Sequence, residues 1–103
     1  YWTIAGGADP LAYLEKYKHR YRCMHVKDMS KAVRFEGDGG NAQQWIALFP
    51  YMTSAGSGVI DLKTILTKAK ATGVEHFFVE QDMVADPDVS LKKSIVYLAG
   101  LQK

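Results

Sequence analysis

The sequence predicts an α/β fold with parallel strands, and three observations carry that prediction. Segments of helical periodicity alternate with short β-compatible runs. Two helical segments open on the same pair, Asp9-Pro10 and Asp86-Pro87. Both strand-like runs have an apolar side suited to helix packing.

Asp9 is a favourable N-cap, and Pro10 suits the first helical position because its missing N–H has no partner there. Leu11, Leu14 and Tyr17 give this first helix an apolar face through about His19. Tyr21 to Val26 then reads as a strand, ended by Lys27-Asp28. Residues 29–58 read as one long irregular stretch. Loops beyond about 12–15 residues are more often functional than filler. Within it, Trp45 to Phe49 forms an apolar anchor, as a short strand or helical turn, and Gly56-Ser57-Gly58 closes it. Val59, Leu62, Ile65, Leu66 and Ala69 keep helical spacing up to the stop at Gly73. Val74 to Glu80 is the second strand, and the last helix carries Leu91, Ile95 and Leu98 on one face.

Composition bounds the function. Hydrophobic residues make up 48% of the 103 positions and charged residues 23%, an ordinary globular mixture. Thirteen Lys+Arg against eleven Asp+Glu leave a net charge of +2, too small to argue for nucleic acid. No window approaches ~18 uninterrupted apolar residues, so no membrane span is expected. Tyr1-Trp2-Thr3-Ile4 shows no basic-then-apolar leader, and the expected location is the cytoplasm. A single cysteine, Cys23, excludes an internal disulfide framework and reads as a small core residue.

Period-two alternation places the polar candidates. His25 shares a strand side with Cys23 and Lys27, while Met24 and Val26 face away. Glu80 shares a side with His76, Phe78 and Asp82. Both polar groups thus fall at carboxyl ends of strands, where open sheets and barrels bind ligands. His25 reads as a metal ligand, an acid–base group or a hydrogen-bonded strand-end histidine. Glu80, ending an apolar run, must be solvated, paired or metal-bound. Lys27 suits a substrate oxygen or phosphate, stands solvated in the loop, or pairs with Asp82. Asp28 orients His25 or, as the stronger reading, caps the loop. Gly56-Ser57-Gly58 before a helix is either a plain turn or an anion site that would bring Ser57 to a substrate. Trp2 reads as core, as a stacking platform for a sugar, or both.

Four segments occur in a telling order. They are Tyr1-Trp2 with Ala5-Gly6-Gly7-Ala8-Asp9-Pro10, then Met24-His25-Val26-Lys27-Asp28, then Ser54 through Asp61, then Phe78-Val79-Glu80-Gln81-Asp82. Together they resemble the C-terminal part of the sugar phosphate isomerase/epimerase family, the xylose isomerase-like TIM barrels, over essentially the whole chain. The resemblance implies a (β/α)8 barrel, typically ~250 residues, of which residues 1–103 would supply the end of strand six through helix eight. It implies one divalent cation (manganese, magnesium or cobalt) held by two Glu, an Asp and a His. His25 and Glu80 match two of those metal ligands, and the other two would lie upstream of Tyr1. It further implies proton transfer beside a carbonyl through a stabilised enediolate, with Glu80 also catalytic. Trp2 stands where epimerases of the family often have a substrate-contacting His, and Lys27 substitutes for an Arg that some carry. The implied partners are a small sugar or sugar phosphate and the rest of the barrel; homo-oligomerisation stays open.

Two other readings stand beside the enzyme. One is a non-catalytic sugar- or phosphate-binding module built on Gly56 to Gly58 and Lys27. The other is an inactive truncated remnant. Two strands with three amphipathic helices leave apolar surface uncovered, so residues 1–103 alone are expected to fold marginally at best.

Overall fold

The computed structural model describes residues 1–102. Among them the chain is mixed α/β, and the order of elements follows from local chemistry. Tyr1-Trp2, expected at a strand end, instead begin a helical turn, α1 (Trp2–Ala5). No strand pairs with this segment, so its backbone bonds to itself: the Ala5 amide donates to Tyr1 O at 2.8 Å and Gly6 to Trp2 O at 2.9 Å.

Asp9 caps α2 (Pro10–Lys16) by accepting from the Leu11 amide at 2.9 Å. The helix stops short of His19, which takes the left-handed conformation (φ 66°) and donates its amide to Thr72 O at 2.7 Å. That bond turns the chain into β1 (Cys23–Val26), which is shorter than the predicted strand. After Lys27, β2 (Asp28–Met29) runs antiparallel to β3 (Met52–Thr53). The segment between them is less irregular than expected. It holds α3 (Ala42–Ile46), capped by Asn41, and a 3-10 turn at Phe49–Tyr51.

Asp61 caps α4 (Leu62–Ala71), accepting from the Thr64 amide at 3.1 Å. The helix therefore begins after Val59, which was expected on its buried face and is 59% exposed. β4 (His76–Val79) follows, and α5 (Pro87–Gly100) is capped by Asp86.

β4 pairs in parallel with β1, in the register Cys23–His76, Met24–Phe77, His25–Phe78 and Val26–Val79. Helices cover one face of this pair. Leu14, Ile65, Ala69 and Val74 pack with Met24 and Phe77. Val26, Ala55, Leu62 and Leu66 pack with Tyr97, Leu98 and Leu101. The other face is bare: Cys23, His25, His76 and Phe78 are all exposed. Cys23 is thus not the core residue its position suggested, because it lies on this uncovered side. The shortest dimension of the chain, 19 Å, is that of one sheet layer and one helix layer.

α5 corrects a second expectation. Leu91 and Ile95 are exposed, Leu98 packs on the core as expected, and Ser90 and Ser94 are the residues buried on the inner face. Small polar side chains win this face because the loop before α4 approaches closely and needs acceptors. The Ala55 amide donates to Ser94 Oγ at 3.0 Å, and the Ser54 and Ser90 hydroxyls share a hydrogen bond at 2.7 Å. No helix among the described residues is long and apolar enough to cross a membrane.

Candidate functional site

The parallel register sets the site. Glu80 extends the ladder beyond β4, its amide donating to Val26 O at 3.2 Å. This places Glu80 beside Lys27 and on the same face as His25, two residue pairs beyond the His25–Phe78 match. Three side chains converge as a result. His25 Nδ1 lies 2.6 Å from Glu80 Oε2, and Lys27 Nζ lies 3.3 Å from Glu80 Oε1. Lys27 Nζ also donates to Asp82 Oδ2 at 2.8 Å.

Burial differs sharply across the cluster. The His25 side chain is 65% exposed, whereas that of Lys27 is only 5% exposed. A buried ammonium is tolerated only when paired, and here two carboxylates pair it. Glu80 Oε2 is itself buried and has no hydrogen-bond partner among the described residues. Its contact with His25 is close, and it is an ion pair when the imidazole is protonated. Two electron-rich atoms at that separation repel unless a proton or a cation lies between them.

Trp2 sits above Lys27, with the ammonium 5.3 Å from its ring centroid. The segment between β2 and β3 folds aromatic side chains around this indole. Phe35 stacks on it at 5.8 Å and 16°, and Trp45 and Phe49 approach to 4.8 and 5.9 Å. Reading the sequence missed Phe35 and Trp45 at this place. The only signal was the length of the segment and its aromatic content. A cleft of about 240 Å³ opens along Trp2, Met24, His25 and Lys27.

Ser57 is not brought to this cluster. It is exposed in a turn where its amide donates to Ser54 O at 2.9 Å. The neighbouring amides are committed inward. Gly56 and Gly58 donate to Asp28 Oδ2 at 2.9 and 3.0 Å; Met29 and Ile60 donate to Asp28 Oδ1 at 2.9 and 3.2 Å. The glycine turn does hold an anion, but that anion is the carboxylate of buried Asp28. This leaves no free backbone amide at Gly56 or Gly58 for an external phosphate, which removes the main support for a phosphate-binding module built there. Gly58 is required at its position: a Cβ there would lie 2.3 Å from Met29 O and 2.4 Å from Asp28 Oδ1.

An imidazole nitrogen and a carboxylate oxygen are suitable donors for manganese, magnesium or cobalt. Ligand atoms sharing one such ion, each about 2.1 Å from it, stand about 3 Å apart, close to the separation of His25 and Glu80. The measured 2.6 Å is also the distance of a plain imidazolium–carboxylate ion pair. Among the described residues, no group of three His, Cys, Asp or Glu side chains gathers around a common ion position. No protein-family model, curated protein or solved structure matches the chain.

Proposed function

We propose that the chain supplies the last two strand–helix units of a (β/α)8 barrel of the sugar phosphate isomerase/epimerase kind. β1 and β4 would be strands seven and eight, with α4 and α5 as their helices. The parallel pairing through a helical crossover supports this reading. So does the bare sheet face, which in a closed barrel would turn inward against the other strands.

In this reading the intact protein isomerises or epimerises a small keto sugar or its phosphate. His25 and Glu80 hold a divalent cation together with two ligands from polypeptide preceding Tyr1. When bound, that ion is a Lewis acid that lowers the cost of enediolate charge. Glu80 would be one of a pair of glutamates that take and return the proton at the carbon next to the carbonyl, the other lying in the polypeptide preceding Tyr1. Trp2 and its aromatic neighbours wall the site and keep water from the developing charge.

The observation that carries the proposal is the 2.6 Å approach of His25 Nδ1 to the buried, unpartnered Glu80 Oε2 across neighbouring parallel strands. The test is elemental analysis of the complete gene product purified as wild type, His25→Ala and Glu80→Gln. Stoichiometric manganese, magnesium or cobalt in the wild type, lost from both variants, is the expected result. Equal occupancy in all three refutes the ligand assignment. Deuterium exchange into keto sugars in heavy water should also fall by roughly 10²–10⁴-fold in Glu80→Gln. Undiminished exchange there removes Glu80 from the proton transfer.

A further inference from the structure

Glu80 has two carboxylate oxygens in different circumstances. Oε1 faces the Lys27 ammonium at 3.3 Å, and Oε2 is buried, unpartnered and directed at His25. Lys27 in turn is anchored from the far side by Asp82 at 2.8 Å and covered by the Trp2 ring. With 5% of its side chain exposed and two carboxylates paired to its ammonium, Lys27 is held within the cluster rather than extended to solvent.

We infer that Lys27 is a positioning residue that assigns separate duties to the oxygens of Glu80, engaging Oε1 so that Oε2 alone is presented to the cation. This rests on the reading of His25 and Glu80 as ligands. It moves Lys27 from substrate contact to the support of a ligand. The physical need is plain. A free carboxylate rotates about its last side-chain bond and can present either oxygen or both. A buried cation on one oxygen removes that freedom, and hydrogen bonds of this supporting kind commonly set affinity by ten- to a hundredfold. Asp82 fixes the cation in turn, so the order of dependence runs Asp82, Lys27, Glu80.

Charge alone predicts the opposite sign, which makes the inference testable. Removing a positive charge beside a divalent ion should tighten its binding if only long-range electrostatics matter. Removing the group that orients the ligand should weaken it. Manganese affinity of the complete gene product is read from the loss of the free-ion electron paramagnetic resonance signal, in wild type, Lys27→Met and Lys27→Arg. The expected result is binding about 10–100-fold weaker in Lys27→Met. Lys27→Arg, whose guanidinium can still donate to both carboxylates, should recover most of it. Equal or tighter binding in a folded Lys27→Met overturns the inference while leaving His25 and Glu80 as ligands. If circular dichroism shows Lys27→Met unfolded, Lys27→Gln replaces it under the same criteria. A wild type that takes up no manganese, magnesium or cobalt overturns the ligand reading itself, and this inference with it.

Discussion

Replacing Asp28 by Asn changes one atom and should cost more stability than most core truncations of similar size. The carboxylate accepts four backbone N–H groups, two on each oxygen. Asparagine keeps one of those oxygens. Its amide group would confront the donors that faced the other, so two hydrogen bonds are lost whichever way it turns. A hydrogen bond to a charged group contributes about 1.5–3 kcal/mol, giving a ceiling of roughly 3–6 kcal/mol. Gly56 is exposed, so water can satisfy part of the deficit there. The expected loss is therefore in the lower half of the range, about 3–4 kcal/mol. That is a large share of the roughly 5–15 kcal/mol that holds a typical domain together. The side chains are isosteric, so no cavity term enters. Urea unfolding of wild type and Asp28→Asn measures the difference, and amide hydrogen exchange at Gly56 and Gly58 localises it. A loss below about 1 kcal/mol, with exchange at both glycines unchanged, would refute the account of the loop as a carboxylate cradle.

Ser94→Val should destabilise by about 1–3 kcal/mol, because it leaves the buried Ala55 amide without its acceptor; chemical denaturation measures it, and an unchanged midpoint contradicts the assignment of this face of α5. Hydrogen bonds from the Thr64 side chain and backbone hold the Asp61 carboxyl below its ordinary value of 3.8. A lowered folded-state value means that the contribution is fully present above about pH 4 and is lost as pH falls through the depressed value. Carbon-13 titration of the Asp61 carboxyl should give a midpoint below 3.8, and a midpoint at or above it counts against the cap.

Much of the fold was legible because its signals are local. Asp9 and Asp86 each cap a helix as expected, and alternation along Cys23 to Val26 and His76 to Val79 named the helix-packed side, whereas the Asp61 cap went unread. Alternation placed His25 and Glu80 each at the carboxyl end of its strand, and their meeting was an expectation from the resemblance. What was lost is what depends on distant partners. The sequence of α5 shows Leu91 and Ile95 as its apolar face, yet the loop at Ser54-Ala55 decides that serines turn inward. Gly56-Ser57-Gly58 advertises an anion site without saying that Asp28, almost thirty positions earlier, already fills it. Lys27 left three options open, and only the placement of Asp82 and Trp2 shows how fully it is engaged.

The indoles of Trp2 and Trp45 stand 4.8 Å apart and inclined by 56°, although forty-two positions of chain lie between them. Chromophores so near and so inclined mix their excited states, and the mixing splits the far-ultraviolet dichroism into a couplet of opposite signs. The amplitude dies once the segment bearing Trp45 swings away. The molecule thus carries its own optical gauge of whether that segment is seated against Trp2, readable without any label.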